Sequence, residues 1–151
     1  MSIALTHASD FVVELSPPHE MGESPKGVRR IIPIVGGTAR GPLINGRILP
    51  VGADWQTVLK GGIADLDARY AVETADGAII EVVSRGIRHA SAAVHARIAA
   101  GEQVDPSEYY MRTAIRLESG HPSWEWVNRE LFLATGGKVG NTVRLGVYRV
   151  D

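Results

Sequence analysis

Ala64-Asp65-Leu66-Asp67-Ala68-Arg69-Tyr70-Ala71-Val72-Glu73-Thr74 alternates along its length. At period two, Leu66, Ala68, Tyr70 and Val72 fall on one face, and Asp65, Asp67, Arg69 and Glu73 on the other. Successive side chains of a β-strand point to opposite sheet faces, so this pattern predicts a strand with one face in a core. The segment ahead of it, Gly52-Ala53-Asp54-Trp55-Gln56, and several behind it mix arginine, tyrosine or tryptophan into apolar rows. Such a sheet suits the wall of a pocket.

Turn signals on either side extend the β reading. Asp76-Gly77, between Tyr70–Thr74 and Ala78–Ser84, is a strong short hairpin signal, because both residues tolerate the backbone of a tight turn. Upstream, Phe11–Leu15 reads as a strand closed by Ser16-Pro17-Pro18, and 19–27 as a polar surface loop. Arg29–Val35 reads as a strand whose Pro33 favours an edge or bulge, broken at Gly36-Gly37 before Leu43–Leu49. Ser91–Ala100 is alanine-rich with helical spacing and is stopped by Gly101. Ser107–Leu117, Trp124–Ala134 and Thr142–Val150 return to the β pattern, with turns at Gly120-His121-Pro122 and Gly136-Gly137. The expectation is one domain over residues 1–151, an antiparallel β-barrel of about eight to ten strands with one short helix.

Composition narrows the function. With 151 residues, 44% apolar and 22% charged, the chain has the composition of an ordinary globular protein. Sixteen basic and 17 acidic residues give a net charge of −1, which offers no broad attraction to nucleic acid or an anionic membrane. A local arginine cluster could still hold a small anion. The absence of cysteine removes disulfides, thiolate nucleophiles and cysteine-ligated metals. The N-terminus lacks a basic start and an apolar core, and no apolar run reaches the ~20 residues of a spanning helix. A soluble cytoplasmic protein is expected, with no nucleic-acid or membrane partner.

Familiar chemistry is scarce. The five histidines, at 7, 19, 89, 95 and 121, form no metal-binding pair at helical spacing. There is no Gly-x-Ser-x-Gly elbow, and Gly36–Gly41 lacks the lysine and helix of a phosphate loop. No metal and no cofactor are expected. What remains is arginine, tyrosine, tryptophan and carboxylate. Alternation groups Tyr110, Arg112, Ala114 and Arg116 on one face, and Trp124, Trp126, Asn128 and Glu130 on another. Arginine can fix an oxyanion with two parallel hydrogen bonds, tyrosine can donate to one, asparagine orients a carbonyl and tryptophan walls a ring. The competing reading places these faces on the outer surface, with Arg112 paired to a glutamate and the tryptophans packed in a core.

Several segments in order resemble the family called domain of unknown function 3237. They are Arg30-Ile31-Ile32-Pro33-Ile34 with Gly36-Gly37, Gly41-Pro42…Gly46, Gly52–Gln56, Leu66–Tyr70 and Thr74–Ala78 with Ile80. Arg85–Arg88, Tyr109–Thr113, Trp126–Arg129 and Val147–Val150 complete the set. The resemblance implies a calycin-like or lipocalin-like antiparallel barrel and names no activity. Ala39 and Val127 depart from it, standing where an aromatic and a leucine are common. Asp54, Trp55, Arg69, Tyr70, Arg88, Tyr110, Arg112, Trp126 and Asn128 all lie in its motifs, which adds weight to a pocket.

These observations lead to a cofactor-independent enzyme acting in the barrel lumen on a small apolar or aromatic oxygenated molecule. Proton transfer beside a carbonyl would serve isomerisation, cyclisation, or addition and elimination of water. Asp54 would be the acid or base, with Arg69 or Arg112 and Tyr110 holding the oxyanion. Trp55 and Trp126 would sandwich the ring, and Tyr70, Arg88 and Asn128 would complete the binding set. Asp54 could instead cap backbone amides in a turn. A non-catalytic carrier or sensor is the alternative, and aromatic rows forming a homo-oligomer interface a third.

Overall fold

The computed structural model describes all residues, 1–151. It contains ten strands: β1 (Leu5–Leu15), β2 (His19–Ser24), β3 (Gly27–Arg40), β4 (Gly46–Ile48), β5 (Ala53–Leu59), β6 (Ile63–Thr74), β7 (Ile79–His89), β8 (Tyr110–Glu118), β9 (Phe132–Val139) and β10 (Thr142–Val150). One α-helix, α1 (Ala92–Ala99), follows β7, and 3-10 turns cover Pro106–Glu108 and Pro122–Arg129.

All pairings are antiparallel and close into a barrel with eight strand positions. Two positions are each filled by a broken strand. β1 pairs with β3 from Asp10–Arg40 to Leu15–Ile34, and β2 continues along β3 from His19–Ile31 to Ser24–Gly27. Pro17 and Pro18 separate the two pieces, since neither can donate to a ladder. On the other side of β3, β4 pairs at Thr38–Arg47 and β5 from Ala53–Pro33 to Val58–Val28. The long β3 changes partners at Gly36-Gly37, which expectation made a break and which the structure keeps inside the strand. Gly37 has φ +134°, and a Cβ there would lie 1.9 Å from the Val12 carbonyl oxygen. Only glycine allows this close crossing.

The remaining differences from expectation have physical causes. Residues 19–24, read as loop, form β2: nearly every residue there is exposed, so backbone pairing rather than a buried face defines the strand. Trp124–Arg129 is a 3-10 turn rather than a strand, started by His121, whose ring accepts from the Ser123 N–H, with Pro122 at the first position. Gly136 and Gly137 sit within β9 rather than in a turn; Pro106 packs where a Gly137 Cβ would be. Helix α1 forms where expected. Ser91 caps it by accepting from the Val94 N–H at 3.2 Å, a contact worth ~1 kcal/mol, and Gly101 follows it with φ +81°.

The lumen has two halves. At one end Phe11, Ile48, Ile80, Val82, Ile115, Phe132 and Val147 fill it, all almost fully buried. The 122–129 turn plugs this end: Val127 is buried, and Trp126 stacks 6.1 Å from both Trp124 and Phe132. The other end is not filled by side chains.

Candidate functional site

Alternation decides what enters the open half. On β5, Asp54 and Gln56 point inward and Trp55, between them, is 46% exposed on the outer wall. On β7 Arg88 follows the inward row Ile80, Val82, Ser84, and on β3 Arg30 and Ile32 precede inward Ile34. On β9 Lys138 extends the row Phe132, Ala134. These side chains line a cavity of about 450 Å³ together with Leu15, Leu66, Met111 and Val143. Ile98 of α1, the following Gly101–Val104 segment, Ser16–Pro18 and the Gly140-Asn141 turn surround its mouth. The helix thus lies across the opening, and the proline break between β1 and β2 forms part of the rim.

A smaller recess of about 60 Å³ shares Leu15, Asp54, Leu66, Met111 and Val143 with this cavity and reaches the barrel centre. Its wall is apolar apart from Asp54, Tyr70, Ser84 and Thr113. Tyr70 is 4% exposed, its hydroxyl has no hydrogen-bond partner, and burial pushes its ionisation well up. The Thr113 hydroxyl is equally unpartnered.

Asp54 is the one carboxylate deep in the site. Its Oδ1 accepts the Asp67 N–H at 2.9 Å, and Oδ2 lies 3.4 Å from the Gln56 amide nitrogen. Desolvation raises its pKa above the ordinary carboxylate value; the Asp67 N–H, Gln56 and the Arg88 charge offset this only partly. Burial also depresses Arg88, as does the charge of Arg30, and burial depresses Lys138, with Arg88 and Arg30 adding to it. Neither Arg88 nor Lys138 has a carboxylate within ion-pair distance, and the Nε atoms of Arg30 and Arg88 are buried without partners. Arg30 reaches Glu20 only at 3.8 Å. Unpaired cations facing a cavity are costly to the fold, so they mark a place where something binds.

The structure brings together three of the nine sequence candidates: Asp54, Tyr70 and Arg88. Trp55, Arg69, Tyr110, Arg112 and Asn128 do not enter the cavity. Arg69 is outside with Glu81 at 3.6 Å, and Arg112 lies on the outer wall, its guanidinium 5.0 Å from the Tyr110 ring centre. Asn128 holds the chain at Ser119 with two backbone hydrogen bonds, and Trp126 belongs to the packed end. The expected convergence of Trp55, Tyr110, Arg112, Trp126 and Asn128 is therefore corrected. On β8 the inward row is Met111, Thr113, Ile115 and Leu117, one residue out of step with the row chosen for its chemistry. Arg30, Gln56, Met111, Thr113 and Lys138 were missed. For Arg30, Met111, Thr113 and Lys138 the available signal was a place on a row of buried apolar residues at period two, whereas the row of Gln56 offers only Asp54 and the exposed Val58.

The model of the family described as protein of unknown function (DUF3237) matches residues 3–150, and the chain belongs to that family. A UPF0311 protein of Rhodopseudomonas palustris (strain TIE-1) is 41% identical over 129 residues, covering 85% of this chain and 84% of the relative. A structure described as a beta-barrel like protein from Acinetobacter baumannii AYE superposes with TM-score 0.87 at 39% identity, covering 100% and 98% of the two chains. A structure described as an enzyme from Penicillium herquei superposes with TM-score 0.74 at 17% identity, over 100% and 96%, a likeness of fold.

Proposed function

We propose that the open half of the barrel is the active site of a cofactor-independent enzyme that moves a proton on a small apolar or aromatic oxygenated molecule. Isomerisation, cyclisation, and addition or elimination of water beside a carbonyl all fit this chemistry. The observation that carries the reading is Asp54, a buried carboxyl with raised pKa in a cavity large enough for a substrate. A carboxylate desolvated in this way is a stronger base than one in water, and its acid form persists to higher pH. The Asp67 N–H fixes Oδ1, so Oδ2, with only the long Gln56 contact, is the oxygen free to exchange a proton.

The other roles fall to inward residues. Arg88 can receive the oxygen on which charge develops, and the unpartnered Tyr70 and Thr113 hydroxyls can receive a polar group at the far end of the substrate. Ile98 and Val104 limit water at the mouth. The Penicillium herquei protein, described as an enzyme, supports this reading at the level of fold.

Hydrogen–deuterium exchange tests it directly. A panel of cyclic and aryl ketones is incubated with the protein in deuterium oxide, and deuterium entering the carbon beside the carbonyl is followed by NMR. The expected result is exchange above background, abolished in Asp54→Asn, whose amide keeps the shape but cannot take the proton. The carrier alternative rests on the same Asp67 contact, which gives Asp54 a structural task where the β5–β6 ladder is interrupted between Asp54–Ala68 and Thr57–Asp65. Exchange unchanged in Asp54→Asn would favour it.

A further inference from the structure

We propose that the ligand of this cavity is a small organic anion, a carboxylate on a compact apolar or aromatic body, with its head on Arg88, Lys138 and Arg30 and its body against Leu66, Met111 and Val143. This deepens the reading of the cavity as a binding site and does not depend on Asp54 being catalytic.

The argument starts from charge. Arg30, Arg88 and Lys138 face one cavity, and the acidic side chains lining it are Asp54 and Glu102. Glu102 is committed to Arg97 at 3.3 Å, outside the lining. Asp54 is held through Oδ1 by the Asp67 N–H, its Oδ2 has only the long Gln56 contact, and it forms no ion pair with the three cations. The chain as a whole is nearly neutral at −1, so this excess of positive charge is local, and it sits where desolvation makes it expensive. An anion supplies what the protein omits.

Hydrogen bonding and shape narrow the class. The buried Nε atoms of Arg30 and Arg88 are donors without acceptors, and an oxyanion bearing at least two oxygens satisfies donors on different strands at once. Behind the charged layer the recess is walled by Val13, Ile34, Leu66, Ala68 and Leu145. A bare inorganic anion would leave that apolar surface wet, whereas an apolar body fills it. The hydroxyls of Tyr70 and Thr113 offer a polar contact at its tip.

The test is calorimetric binding of benzoate, phenylacetate and 4-hydroxycinnamate, each beside its primary amide, with inorganic phosphate as a further arm. The acids are expected to bind at least tenfold more tightly than their amides and than phosphate. Arg88→Gln and Lys138→Met should each weaken acid binding at least tenfold, while Arg112→Gln on the outer wall leaves it unchanged. Arg88→Gln should also melt at a higher temperature than the unliganded parent, because it removes an unpaired charge that is largely withdrawn from water. Equal affinity for acid and amide, preference for phosphate, no saturable binding of any acid at millimolar concentration, or binding indifferent to both lumen variants overturns the proposal. Asp54→Asn separates it from the catalytic reading: the variant should bind the acids at least as well as the parent, having lost a like charge, whatever happens to deuterium exchange.

Discussion

Asp54 Oδ1 accepts the backbone N–H of Asp67 at 2.9 Å, and this contact spans the stretch where β5 and β6 lack ladder pairing. A single carboxylate therefore both ties two strands together and faces the cavity. The tie fixes where the carboxylate points, and burial sets its affinity for a proton.

Asp54 carries a pH signature of stability. Its folded pKa lies above the unfolded value of 3.8, with desolvation the largest cause. The folded state therefore binds the proton more tightly, so this group's contribution is most favourable below the unfolded pKa and is lost as pH rises through the folded one. Asp54→Asn retains an acceptor for the Asp67 N–H without the charge. It should raise Tm at neutral pH, with the gain vanishing as pH falls towards 4. Thermal melts of both proteins across that range measure the difference, and a gain independent of pH would contradict it.

The outer wall and the lumen should separate under mutation. Trp55→Ala and Arg112→Ala remove side chains from the exposed face and should leave ligand affinity within about twofold. Met111→Ala removes a buried side chain from the wall of both cavities and should cost about 2–5 kcal/mol of stability as well as affinity. Denaturant melts paired with calorimetry read both effects. A large loss of affinity in Trp55→Ala would return that residue to the site.

Much of the barrel could be read from the residues, because its signals are local. The row Leu66, Ala68, Tyr70, Val72 faces inward, the Asp76-Gly77 hairpin joins β6 to β7, and Ser91 to Gly101 bracket the helix. The strand β2 gave no signal because nothing in it is buried. The site was harder for a different reason. Arg112 and Tyr110 look like catalytic residues by type, but the alternation that places Met111 and Thr113 inside necessarily turns them out. Burial of neighbouring apolar residues, rather than the chemical appeal of a polar one, determines which face of a strand meets the lumen. Lys138 was hidden for the same reason: its row begins with Phe132 and Ala134 and turns polar only where the barrel opens.

The crossing at Gly37 should be among the least tolerant positions in the fold. A Cβ there meets the Val12 carbonyl oxygen at 1.9 Å, and φ is +134°. Gly37→Ala must push β1 away from β3 and should cost more than ~2 kcal/mol. Gly77, in the β6–β7 turn, has φ +82° but open space around the added Cβ, so Gly77→Ala carries only the conformational cost of ~1–2 kcal/mol. Urea unfolding of the two variants distinguishes steric from conformational penalty, and equal losses would remove the steric argument.

At the packed end, Asp76 links the β6–β7 turn to the plug. Its Oδ1 accepts from the Thr74 hydroxyl, and the Trp124 indole N–H donates to the carboxylate, 3.2 Å from Oδ2. The Thr74 hydrogen bond is the largest cause of a lowered pKa, with Trp124 and the nearby His121 adding to it. The folded pKa is thus below the ordinary 3.8. The contribution of Asp76 is present above the unfolded pKa and is lost as pH falls through the folded one. Between those values the folded state keeps its charge while the unfolded chain has taken up a proton. The indole N–H resonance of Trp124 reports the event, since it should shift only as pH drops below 3.8 and should titrate with the carboxyl carbon of Asp76. Asp76→Asn should abolish the indole titration in that range while leaving the signal of Trp55, on the outer wall, unchanged. An indole titration that survives the substitution would show that another group, and not Asp76, holds the plug against the turn.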